Sequence, residues 1–164
     1  MRTKPDYREV LRVVRDIQSQ LDLQDPPINP VTIARQLGLG VRFANFGGKF
    51  YRISGFYDPK EHSIWVNKEE DPRRQTFTIA HELGHALMHR EWAASDDYEV
   101  LWRDQQGDPD DFREKEANAF AANLLVPREL LTRYYARLSV EELSQLFAVS
   151  VPVIKNRLAF EYGV

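Results

Sequence analysis

The run His81-Glu82-Leu83-Gly84-His85 places two imidazoles four residues apart, with a carboxylate directly after the first. On an α-helix that spacing turns through ~40° and rises ~6 Å, so both rings can reach one ion from the same face. Glu82 projects from the neighbouring face, beside the position the imidazoles leave open. A metal ion held there lowers the pKa of a water towards ~7, and an adjacent carboxylate can take the proton and pass it to a leaving amine. That chemistry is hydrolysis of a peptide bond. The contrary reading is a helix with two histidines flanking a salt-bridging glutamate. A helical pattern of apolar residues through Phe77, Ala80, Leu83 and Leu87, following a strand, favours the metal.

A catalytic zinc ion takes about three protein ligands plus water. The chain has no cysteine, so every ligand must be imidazole or carboxylate. His89 continues the four-residue series, but ~12 Å of rise from His81 puts it too far along a straight helix to share the ion. It reads better as a helix-end histidine favoured by the macrodipole. The extended pattern HExxHxxGxxH also fails, since Met88 stands at its glycine and Glu91 at its last histidine. Carboxylates of the next helical segment remain. Glu116 directly precedes Ala117, in a helix whose Phe120 and Leu124 should pack on the motif helix. Glu114, two residues away and on a different face, is the lesser candidate. Spacing alone leaves both open, among other nearby acids.

The elements that must position these residues are legible from periodicity and punctuation. Val10, Val13, Val14, Ile17 and Leu21 predict an amphipathic helix from about Pro5 to Leu23. Asn29-Pro30 caps a short second helix that Gly38 ends. Alternation from Val41, the aromatic and β-branched run from Phe50 to Tyr57, and Ser63 to Asn67 predict three short strands in an antiparallel meander. Asp71-Pro72 opens the motif helix. From Glu91 to Asp111 an acidic stretch reads as loop or loose helix. Helix resumes around Glu114 and stops at Pro127; Ser139 with Glu142 is a capping box, and Ser150 opens a last helix. The fold expected is α+β: a small antiparallel three-stranded sheet packed on the HExxH helix, with helices at both ends. The core spans 1–127, and 128–164 form a helical extension packed on it. A cleft along the sheet edge would let a substrate strand pair there.

At 164 residues one compact domain is expected. A net charge of −3 and pI near 5.8 argue against nucleic acid as a direct ligand. The amphipathic N-terminus does not resemble a secretory signal, and no run approaches the ~18 apolar residues of a membrane span. A soluble cytoplasmic protein is the expectation.

Two blocks carry a family resemblance: His81-Glu82-Leu83-Gly84-His85-Ala86-Leu87-Met88-His89, and Glu116-Ala117-Asn118-Ala119-Phe120-Ala121-Ala122-Asn123-Leu124-Leu125-Val126-Pro127. They resemble the ImmA/IrrE family of HExxH metallopeptidases, and weaker likeness extends over most of the chain. The resemblance implies a gluzincin-like Zn2+ site with His81, His85 and Glu116 as ligands and Glu82 as general base. It also implies a protein or peptide substrate, such as an Xre-type helix-turn-helix repressor or antitoxin encoded beside it. A thermolysin-type aspartate four residues after the ligand glutamate is missing, because Phe120 stands there; Asn118 or a backbone carbonyl would orient His81 or His85 instead. Tyr98, Tyr134, Tyr135 and His62 are equal candidates for stabilising the transition state.

Two other functions compete. Val140 to Tyr162 resembles a helix-turn-helix, with Lys155, Asn156 and Arg157 facing a groove, but three polar residues make a thin phosphate footprint. A zinc-stabilised partner-binding or sensor protein would use the same ligands without cutting. The acidic stretch would then be a docking surface for a basic partner.

Overall fold

A computed structural model describes residues 2–22, 25–48, 52–98, 101–102 and 110–164. Helix α1 (Tyr7–Gln20) starts where the Asp6 side chain accepts the Glu9 N–H, and it buries Val10, Val14 and Ile17 along one stripe. Helix α2 (Pro30–Gln36) has the expected Asn29 cap and N-terminal proline. Three strands follow: β1 (Gly40–Ala44), β2 (Ile53–Asp58) and β3 (Ser63–Asn67). The motif helix α3 (Pro72–Met88) is capped by Asp71 and leads through His89 into the single turn of α4 (Arg90–Ala93). Strand β4 (Leu101–Trp102) and helices α5 (Phe112–Leu125), α6 (Arg128–Tyr134), α7 (Val140–Phe147) and α8 (Val151–Tyr162) complete the order. Much of the acidic run, residues 99–100 and 103–109, lies outside the described residues.

The fold is α+β, but the sheet is mixed, in the order β1-β3-β2-β4. Strands β2 and β3 form the expected antiparallel hairpin, whereas β1 lies parallel to β3, with Val41 opposite Ile64. The meander therefore gives way to a crossover from β1 past β3 to β2. Alternation fixes which face of a strand is buried, not which strand it neighbours. Its central place explains why β3 is buried at both ends, at Ser63 and Asn67 as well as at Ile64 and Val66.

One face of the sheet packs on α3, whose other side packs on α5. Gly84 makes that second contact close: a Cβ there would stand 3.0 Å from the Phe120 ring. Phe120 thus presses directly on the motif helix, and it is fully buried along with Ala121 and Leu124. The same hydrophobic cluster runs on through Leu131, Leu143, Phe147 and Ile154, across the expected boundary at residue 127. Arg157 ties α8 to the end of α5, its Nε donating to the Val126 carbonyl at 3.0 Å.

Candidate metal centre

Helix α3 carries His81 and His85 one turn apart on its buried face, each about 1% exposed. Their Nε2 atoms stand 3.1 Å apart. Glu114 closes the group, with Oε2 at 3.1 Å from His81 Nε2 and Oε1 at 3.0 Å from His85 Nε2. Two donors each ~2.0–2.1 Å from a tetrahedral zinc stand about 3.3 Å apart, so this spacing is close to that of a metal's ligand set. Among the described residues this is the group of His, Asp and Glu side chains able to hold a metal ion.

The protons of the site lead to the same conclusion. His81 Nδ1 faces the Asn118 amide oxygen at 2.9 Å, and His85 Nδ1 faces His89 Nδ1 at 3.0 Å. With a proton on each Nδ1, both Nε2 lone pairs point at each other and at a carboxylate. Three buried acceptors converging on one point, with no donor between them, suit a cation. Without one, burial works against charging His81, yet the Glu114 hydrogen bond and the Glu82 charge outweigh it and raise its pKa. Burial holds His85 down to about 4. Burial alone would raise Glu114, but hydrogen bonds from both histidines lower it to about 2.

Glu114 therefore stands beside the two motif histidines, in the place where the expected ligand set had Glu116. Two residues on a helix differ by about 200° around the axis, so only one of these carboxylates can face the pair. The Asp111 cap starts α5 at Phe112, which puts Glu114 in the first turn. Glu116 faces away from the pair, to His89 Nε2 at 2.5 Å, the Asp6 N–H at 2.8 Å and the Arg2 guanidinium. Burial pushes its pKa up, but the Arg2, Asp6 and His89 contacts outweigh that and lower it. Helical spacing held the signal for Glu114. Asn118 was expected to orient a histidine, and Glu114 lies four residues before it on the same face, whereas Glu116 does not.

Glu82 is about 1% exposed, and burial raises its carboxyl to about 7. The Tyr98 hydroxyl donates to Glu82 Oε2 at 2.6 Å and accepts the Tyr57 N–H of β2 at 2.8 Å. Burial, with the Glu82 charge beside it, pushes the Tyr98 phenol well above its ordinary range. Of the four candidates for stabilising a transition state, Tyr98 is the one beside Glu82. His62 is bonded to the Tyr57 hydroxyl, Tyr135 stacks on Tyr162, and Tyr134 packs against the core. The edge of β2 nearest Glu82 is occupied: β4 pairs with Ile53 and Gly55, and Tyr98 takes the Tyr57 N–H. A substrate strand finds no free edge on β2 at those positions. Arg157, which the competing helix-turn-helix reading would turn to a groove, is about 2% exposed and bonded to Glu161 and Val126, which leaves Lys155 and Asn156 as the exposed members of that trio.

Residues 34–159 match the family described as the IrrE N-terminal-like domain, a peptidase family. The radiation response metalloprotease IrrE of Deinococcus deserti is 40% identical over 79 residues, 47% of this chain and 27% of that protein. An uncharacterised immunity region protein of Bacillus phage phi105 is 30% identical over 118 residues, 65% of this chain and 63% of that one. A solved structure titled a transcriptional regulator of Mycobacterium tuberculosis superposes over 93% of this chain and 46% of its own, with a TM-score of 0.66 at 17% identity. That last likeness is one of fold. The chain thus spans about a quarter of the Deinococcus metalloprotease that it matches. No described helix is long and apolar enough to cross a membrane.

Proposed function

The chain belongs to the IrrE N-terminal-like domain family, and from that premise we propose that it is a zinc metallopeptidase cutting a specific partner protein. The observation that carries this reading is the convergence of His81, His85 and Glu114 with Glu82 beside them. Zinc, when bound, supplies a Lewis acid that polarises a carbonyl and lowers the pKa of water. His81, His85 and Glu114 would hold it through two imidazole nitrogens and a carboxylate. Glu82, with a pKa near neutrality, can take a proton from the attacking water and give it to the leaving amine. Tyr98 donates to one Glu82 oxygen and so orients the carboxylate.

The proposed substrate is an Xre-type helix-turn-helix repressor, or an antitoxin encoded beside this chain. The name of the phage relative, an immunity region protein, supports a phage or mobile-element setting. Incubating such a repressor with zinc-loaded protein and mapping fragments by mass spectrometry tests it. Cleavage at one site, abolished by Glu82→Gln, is expected; an intact repressor with both proteins would favour the partner-binding reading.

Tyr98→Phe should lower kcat for that cleavage by about 10- to 100-fold, as expected when a preorganised donor is lost. KM and zinc content should stay unchanged, because the hydroxyl that is lost bonds Glu82 and the Tyr57 N–H, whereas the ring that lies against His85 is kept. A normal kcat would assign Tyr98 to packing alone.

A further inference from the structure

The metal-binding reading leaves two buried titratable groups unused, and they are connected. His89 is the residue that ends α3, with φ −129°, outside the helical region, and its ring lies against that of His85. His85 Nδ1 to His89 Nδ1 is 3.0 Å, and His89 Nε2 to Glu116 Oε2 is 2.5 Å. The far oxygen of Glu116 accepts the Asp6 N–H at 2.8 Å and the Arg2 guanidinium.

Only one set of proton positions satisfies every contact in the chain if His85 Nε2 is to present a lone pair to an ion. His85 then carries its proton on Nδ1 and donates to His89 Nδ1. His89 in turn carries its proton on Nε2 and donates to Glu116, an ionised carboxylate that can only accept. The Asp6 N–H and Arg2 supply donors to its other oxygen. The His85–His89 and His89–Glu116 hydrogen bonds both point outward, from the metal-binding ring to the anion.

We propose that Glu116 and His89 are positioning residues, a carboxylate–imidazole relay that sets the tautomer and ring orientation of His85, with its far end anchored by Arg2 and the Asp6 N–H of the N-terminal segment. This rests on His81, His85 and Glu114 being the metal ligands. A carboxylate bound directly to a ligand histidine does the same work over one hydrogen bond. Here a second imidazole lengthens the link and connects it to residues before α1. His81 is held separately, by a direct hydrogen bond to Asn118 of α5, the helix that also carries Glu116.

The test is zinc affinity by chelator competition on the full chain, in wild type, Glu116→Gln, His89→Leu, His89→Gln, the double variant His89→Leu/Glu116→Gln, and His81→Ala. Glu116→Gln and His89→Leu should each weaken binding about 10- to 100-fold, the cost typical of outer partners. The double variant should be no weaker than His89→Leu alone, since the relay is already cut there. His89→Gln should recover part of the loss, because its amide oxygen can still accept the His85 proton. In cobalt-substituted protein, the shifted Nδ1–H resonance of His85 should be sharp in wild type and broadened by exchange in His89→Leu. Single variants within twofold of wild type, or losses that multiply in the double, would overturn the relay while leaving the metal site intact. A wild type that binds zinc no tighter than His81→Ala would overturn both.

Discussion

Glu114→Ala should weaken zinc binding about 100- to 1,000-fold, while Glu116→Gln costs distinctly less. Zinc held by a handful of protein ligands is worth roughly 10–16 kcal/mol, so losing one donor costs on the order of 3–4 kcal/mol, or about 100- to 1,000-fold. Glu116 touches His89 and the N-terminal segment instead, and its loss falls in the outer-partner range of about 10- to 100-fold. The two acids, two residues apart, should therefore separate clearly in one titration. In metal-free protein Glu114 also stabilises the fold. Its carboxyl lies at about 2 in the folded chain, below its unfolded value, so the contribution is present above pH 4.5 and lost as pH falls towards 2. That is worth about 3 kcal/mol at neutral pH. Metal-free Glu114→Ala should melt lower than wild type at pH 7, with the gap closing in acid; equal zinc affinity in the two variants would return Glu116 to the ligand set.

Glu82→Gln should keep zinc and lose hydrolysis, by at least about a hundredfold if the carboxylate moves the protons. The same change should stabilise the metal-free protein, which separates it from a merely damaging substitution. Burial puts the Glu82 carboxyl at about 7, above its unfolded value. Below pH 4.5 it is protonated in both states and contributes nothing. Between pH 4.5 and 7 the folded chain holds a proton that the unfolded chain releases, so stability falls as pH rises. Above pH 7 the full cost is present, about 3 kcal/mol, and a neutral glutamine removes it. Thermal melts of metal-free protein should show Glu82→Gln higher by roughly 5–10 °C at pH 8 and level with wild type at pH 4. A variant that melts lower at pH 8 would mean that Glu82 is held there by compensating charge.

The sequence made the motif helix and its chemistry legible because a four-residue histidine spacing has one simple meaning on a helix. Caps at Asn29, Asp71 and Ser139 were equally plain, since each places a side-chain acceptor before a helical run. The third carboxylate was harder. Spacing left the acids open and the family resemblance pointed to Glu116, whereas the start of α5 depends on Asp111, at the edge of an acidic run without clear period. Parallel pairing of β1 with β3 has no local signal, because pairing partners are chosen across the sheet. Tyr98 reaches Glu82 from sixteen residues away through a segment whose course only the folded chain reveals. His89 was set aside as a ligand by its rise along the helix; its ring meets Glu116, outside the His81–His85–Glu114 group.

Anomalous diffraction at the zinc edge, from crystals grown with zinc, tests the centre itself. The expected result is one peak about 2.0–2.2 Å from His81 Nε2, His85 Nε2 and a Glu114 oxygen, with Glu116 bonded to His89 and away from the ion. A peak bound by Glu116 or His89, or none between the two motif histidines, would contradict the site and the hydrolysis that depends on it.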